Sequence, residues 1–128
     1  MRFMNMEFIP EWRYRTMKRY GSIIGVREDK IDEYKKLHAD VWPEVLDMIK
    51  QCNISNYSIY LRKLPDGKNY LFSYLEYTGS DFAADMAKMA ADPMTQKWWD
   101  VCEPCQEPLP DKAEGEWWAD MEEVFHCD

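Results

Sequence analysis

Histidine is nearly absent: the 128 residues hold two, His38 and His126. Imidazole is the side chain whose ordinary pKa, ~6.5, lies near neutrality, so few positions can pass protons in that way. Basic charge is short as well. Sixteen Lys and Arg stand against 24 Asp and Glu, a formal net charge of −8. Such a surface repels phosphate, which argues against nucleic acids and anionic membranes as partners. No apolar run approaches the ~20 residues of a membrane-crossing helix. The opening stretch, Met-Arg-Phe-Met-Asn-Met-Glu-Phe-Ile-Pro, has no unbroken apolar segment and no small-residue cleavage site. It does not read as a signal peptide, and a cytoplasmic location is the expectation. Cysteine is limited to Cys52, Cys102, Cys105 and Cys127, expected as free thiols in that compartment. Zinc at Cys102-Glu-Pro-Cys105 would need two further ligands. His126 and Cys127 are neighbours in a predicted strand and so point to opposite faces. A redox pair would open a helix after a strand, whereas this one sits where a helical pattern ends. The cysteines therefore read as structural, with no metal site.

What is present is apolar and aromatic. Hydrophobic residues make up 46% of the chain and aromatics 15%, enough for one domain with a real core. Residues 1–18 show no clean period and read as an N-terminal extension; residues 19–128 read as a single domain. Arg19–Arg27 has strand character, with Gly21 and Gly25 on one face, where something else comes close. Helical spacing over Ile31, Tyr34, Leu37 and Val41 predicts a helix from about Lys30 to Asp40. A second, from Pro43 to Cys52, carries Val45, Leu46, Ile49 and Cys52. Tyr57 to Lys63 alternates as a strand, Pro65-Asp-Gly-Lys is a turn, and Tyr70 to Tyr77 is its hairpin partner. Ser80 is the expected cap of a third helix bearing Phe82, Met86, Met89 and Ala90. Asp92-Pro93 opens a fourth, with Met94, Trp98, Val101 and Cys102 on its stripe. Glu103 to Glu116 is a loop long enough to be either functional or mobile. Trp117 to Cys127 is expected as the last strand.

This order is the β-α-β-β-α-β plan of an α+β, ferredoxin-like domain with an antiparallel four-stranded sheet. Its hairpin strands are aromatic and aliphatic on both faces. Helices cover one face; a second copy of the same sheet is the economical cover for the other, so a homodimer is expected.

The stretch Tyr34 to Glu44, Tyr-Lys-Lys-Leu-His-Ala-Asp-Val-Trp-Pro-Glu, is the candidate site. Tyr34 and His38 are four apart on a helix and share a face. Pro43 breaks the run. A histidine beside a helix break with aromatic neighbours suits proton transfer, and equally a histidine that simply caps or packs. Trp98 and Trp99 point about 100° apart on their helix. Trp98 belongs to the apolar stripe and Trp99 does not. Such a pair offers broad apolar faces with N–H donors, suited to a sugar, or else seals the edge of a small domain. Trp117 and Trp118, on opposite faces of a predicted strand, read as structural.

Together these residues resemble the L-rhamnose mutarotase family. The resemblance rests on Glu33-Tyr34, His38 with Trp42-Pro43-Glu44, Asn56-Tyr57-Ser58-Ile59-Tyr60-Leu61, Leu71-Phe72, Trp98-Trp99 and Glu123-Val124-Phe125. They run in order from about Tyr20 to the end of the chain. The resemblance implies a dimeric α/β barrel of ferredoxin-like subunits that interconverts the α and β anomers of L-rhamnose without cofactor or metal. It implies His38 as proton donor and Tyr34, Tyr57, Trp98 and Trp99 as sugar contacts. L-fucose or another deoxy sugar is the nearest alternative substrate. Two rival functions share the fold class: a cofactor-free monooxygenase or haem-handling barrel, and a non-catalytic sugar-binding module.

Mutarotation needs a proton removed from the anomeric hydroxyl and one given to the ring oxygen. His38 is expected to give and retake the ring-oxygen proton. The group at the anomeric hydroxyl is left open among a tyrosine, Asp40, Glu44 and water.

Overall fold

The computed structural model describes residues 17–128; nearly all of the expected extension, residues 1–18, lies outside the described residues. Strand β1 runs Lys18–Val26. A single 3-10 turn at Glu28–Lys30 leads into helix α1, Ile31–Ala39, followed by α2, Pro43–Gln51. The hairpin is β2, Ile54–Lys63, and β3, Asn69–Tyr77. Helices α3, Phe82–Ala91, and α4, Pro93–Cys102, precede two short strands, β4, Gln106–Glu107, and β5, Ala119–Met121.

The sheet is antiparallel, in the order β2-β3-β1-β4, with β5 also paired to β1. The fourth strand position is thus shared. Glu107 and Gln106 face Gly25 and Val26, while Met121 to Ala119 face Gly21 to Ile23. The glycines stand at these two junctions. A Cβ on Gly25 would lie 2.6 Å from the Glu107 carbonyl oxygen, and one on Gly21 would lie 3.3 Å from the end of the Met121 side chain. The expected close approach is therefore by the end of the chain itself. The long last strand expected over Trp117 to Cys127 is reduced to three residues. Trp117 and Trp118 lie in a bend before it. Strand alternation therefore does not separate them.

Helix starts follow from side-chain chemistry. Pro43 and Pro93 stand at the first helical positions, where a missing N–H costs nothing. Asp92 caps α4, its carboxylate accepting from the Thr95 N–H at 2.9 Å and the Thr95 hydroxyl at 2.8 Å. The cap of α3 is Asp81, which accepts from the Ala84 N–H at 3.1 Å, and not the expected Ser80. Asp81 is better placed because its own N–H is held by the Tyr77 hydroxyl at 3.0 Å. The turn between β2 and β3 uses Gly67 at φ 82°, a conformation that favours glycine.

The core lies between the helices and one face of the sheet, around Ile24, Val26, Tyr34, Val45, Leu71, Trp98, Cys102 and Cys105. Two stripe positions expected inside are on the surface, Leu46 and Val101. In α4 buried Thr95 shares the inner face with Trp98 and Cys102.

One irregularity decides the site. Between Ser55 and Ser58 the β2–β3 register slips by a bulge. Asn56 takes a left-handed φ of 47°, which asparagine tolerates, and its amide donates to Glu76 Oε1 at 2.5 Å. Strand alternation would send Tyr57, Ile59 and Leu61 to the side opposite Ile54. The extra residue restores them to the helix-covered side.

Candidate active site

The cavity between helices and sheet has a volume of about 310 Å³, at the small end for ligand pockets, which suits a small polar molecule. All five expected site residues line it: Tyr34, His38, Tyr57, Trp98 and Trp99. A second, more open apolar hollow of about 300 Å³ lies on the other side of Tyr34 and His38, towards Leu61.

His38 occupies the last turn of α1. Its ring stacks on Tyr34 with centroids 4.0 Å apart and meets Trp98 edge-on at 5.2 Å. Its Nδ1 lies 2.9 Å from the Tyr34 carbonyl oxygen. A carbonyl only accepts, so Nδ1 carries the hydrogen and donates. In the neutral ring, Nε2 then holds the lone pair. Burial among aromatics pushes the pKa of His38 below its ordinary value, outweighing the opposing effect of the hydrogen bond to Tyr34. His38 at rest is a neutral base with its acceptor nitrogen unpartnered among the described residues.

Trp98 is 7% exposed and holds His38 on one side and Trp42 on another, the latter edge-on at 5.2 Å. Trp99, at 36% exposure, forms the rim. The two therefore divide as their helical angle predicts, one packed and one open. Tyr57 is 41% exposed as a residue, but the bulge turns its hydroxyl end into the cavity, where burial pushes its pKa up to about 12. Burial also raises Tyr34, and the Gln106 hydrogen bond does not offset it. Both phenols stay protonated at working pH, so they are hydrogen-bond partners and not bases. Cys102, beside them, is pushed up to about 12 by burial and is an inert thiol.

Sequence reasoning missed the part of the lining that follows α4. Gln106, Trp117 and Trp118 line the cavity, as do Thr95 and Glu103. Trp117 Nε1 donates to Gln106 Oε1 at 2.7 Å, and Gln106 Nε2 donates to the Tyr34 hydroxyl at 3.3 Å. The only sequence signal for this wall is the tryptophan pair inside a long loop, which strand alternation obscured. Asp40 and Glu44, two of the candidates left open for the anomeric hydroxyl, do not line the cavity; among the described residues the one carboxylate that does is Glu103. All four cysteines are free. Among the described residues, no three His, Cys, Asp or Glu converge as metal ligands.

The model of the L-rhamnose mutarotase family matches residues 19–127. The chain belongs to this family. It is 38% identical to the L-rhamnose mutarotase of Oceanobacillus iheyensis and 35% identical to that of Bacillus subtilis. Each match covers 88% of this chain and 100% of the relative. Among solved structures, the fold is similar to an L-rhamnose mutarotase from Formosa agariphila, with a TM-score of 0.65 and 24% identity. A type-II polyketide cyclase from Streptomyces glaucescens has a TM-score of 0.62 and 8% identity. Both cover 87% of this chain and 99% of their own. The cyclase shows how widely the fold is shared, so membership rests on the family match and on the relatives in sequence. L-Rhamnose mutarotases are isomerases that interconvert anomers, and this family favours neither the oxygenase nor the binding-module alternative.

Proposed function

We propose that this protein interconverts the α and β anomers of L-rhamnose, with His38 moving the proton. The observation that carries the proposal is a neutral His38, tautomer fixed by the Tyr34 carbonyl, in a cavity shared with Tyr57, Trp98 and Trp99. The sugar oxygens O1 and O5 are both bonded to C1, so one ring nitrogen can serve each in turn. Nε2 takes the proton of the anomeric hydroxyl; the C1–O5 bond breaks as C1=O1 forms, and the new imidazolium protonates O5. Rotation about C1–C2 presents the other face of the aldehyde. His38 then retakes the O5 proton as the ring closes and returns it to O1. No proton is gained or lost over the cycle. Tyr34 and Tyr57 bind hydroxyls, Trp99 covers an apolar side of the sugar, and Trp98 holds the imidazole. L-Fucose or another deoxy sugar is the alternative substrate.

Residues 19–128 are the catalytic domain and residues 1–18 an extension to it. The sheet face away from the helices carries Ile23, Tyr60, Phe72, Tyr74 and Met121, judged from strand pairing. Tyr60 there is 63% exposed. A homodimer that covers this face is part of the proposal. Among the described residues no helix is long and apolar enough to cross a membrane. Net acidity and free thiols support a cytoplasmic enzyme with no nucleic-acid or membrane partner.

Proton NMR exchange between the anomeric signals of L-rhamnose tests the activity. Purified protein should accelerate it and the His38→Ala protein should not. An exchange rate equal to the buffer's for both L-rhamnose and L-fucose would refute it.

A further inference from the structure

The wall formed by the end of the chain contains a directed chain of hydrogen bonds. An indole N–H can only donate, so the Gln106 atom facing Trp117 must be the amide oxygen. The amide nitrogen therefore faces Tyr34, and the Tyr34 hydroxyl oxygen must accept. Among the described residues that hydroxyl has no second partner. Its hydrogen is directed away from Gln106, and Tyr34 lines the cavity. Each step removes one freedom: Trp117 orients the amide, and the amide orients the phenol.

We propose that Trp117 and Gln106 are positioning residues that make Tyr34 a hydrogen-bond donor to an oxygen of the bound sugar. Without them the phenol could rotate and accept as readily as donate. Sugar hydroxyls do both, so a fixed donor selects one orientation of the sugar over its alternatives. The buried phenol stays protonated across working pH, so the donor is permanent. The same chain ties β4 to the bend before β5. This deepens the mutarotase proposal and rests on it for the identity of the sugar.

Replacing Gln106 tests the direction. In Gln106→Glu one carboxylate oxygen keeps the Trp117 bond, but the other can only accept from Tyr34. The shape is nearly unchanged and the phenol is reversed, so its hydrogen is withdrawn from the sugar. The expected result is a KM for L-rhamnose raised about tenfold, the worth of one mispaired buried group, with kcat within about threefold. Tyr34→Phe should raise KM similarly, and the double variant Tyr34→Phe/Gln106→Glu should be no worse than Tyr34→Phe alone. Trp117→Phe, which removes the N–H and keeps an aromatic ring, should give a smaller rise. An unchanged KM in Gln106→Glu, or additive effects in the double variant, would overturn the proposal. So would equal losses of kcat and thermal stability, which mark a merely structural role. The Trp117 indole resonance in a proton–nitrogen correlation spectrum provides a readout without activity. It should move upfield in Gln106→Leu, and an unmoved signal would refute the chain of bonds. If wild type accelerates no anomer exchange, the mutarotase proposal fails, while the indole signal still decides whether Gln106 is held as described.

Discussion

The cavity has two walls of different construction. The helix wall, with Tyr34, His38 and Trp98, is packed: Trp98 is in the core, and His38 is clasped by its own helix and two aromatic rings. The wall formed by Gln106, Trp117 and Trp118 lies on a strap held by one two-residue strand, one three-residue strand and side-chain hydrogen bonds. Dense packing fixes a reacting group to fractions of an ångström. A strap with few ties is held less rigidly than a packed helix. In the proposed mechanism the chemistry lies on the first wall and the orientation of the sugar on the second.

Breaking the helix wall should have the largest effect. His38→Ala is expected to lower kcat by ~10²–10⁴-fold, the usual worth of general acid–base help, while the Kd for L-rhamnose from calorimetry changes less. Equal turnover in the variant would remove His38 from the mechanism. Trp98→Ala is expected to cost ~3–5 kcal/mol in urea unfolding, as for other large core truncations. Trp117→Ala on the strap, which loses one hydrogen bond and a half-exposed ring, should cost only ~1 kcal/mol, with its larger effect on sugar affinity. Similar destabilisation by the two would erase the contrast between the walls.

The pH dependence sharpens the role of the first wall. Burial holds His38 below its ordinary pKa, so kcat/KM should be level through neutrality and fall only below pH ~6.5, as the base is protonated. Stability moves in the same direction. Above ~6.5 the ring is neutral in both folded and unfolded chains and contributes no slope. Below it the unfolded chain binds the proton first, so this residue makes stability decline until the lowered folded pKa is reached. The smallest effect is expected at Glu103→Gln, with turnover within about threefold in the NMR exchange assay. A fall as deep as that of His38→Ala would make Glu103 the base at the anomeric hydroxyl and end the single-residue relay.

The same contrast explains what could be read in advance. The helix wall was legible because helical periodicity fixes faces: Tyr34 and His38 four apart do stack, and Trp98 and Trp99 do divide into packed and open. The order of the elements along the chain followed from the succession of patterns. The strap was not legible, because the interactions that set it are long in sequence and local in space. Gln106 is 72 residues from Tyr34 and 11 from Trp117, and no period links them. The last strand was overextended for a related reason. Trp117 to Met121 has strand composition, but β1 offers pairing at two separate places and the chain between bends away. Ser80 and Asp81 were equally good caps by type. The Tyr77 hydroxyl chose between them.

The bulge at Asn56 has a consequence for anyone who would redesign this enzyme. A strand counts in twos, and this strand miscounts once, so the residues before and after it answer to different parities. Insertions of two in the distal part of the hairpin should leave the sugar contacts in place. Deleting Asn56 would place Tyr57 two positions after Ile54 and leave it towards the helices. Flattening the bulge with the residue retained, as Asn56→Val would favour because valine resists the left-handed φ of 47°, would turn the segment from Tyr57 onward inside out. The lining of the cavity would then be exchanged for the surface proposed to meet the second copy, so that one substituted residue converts a question of catalysis into one of assembly.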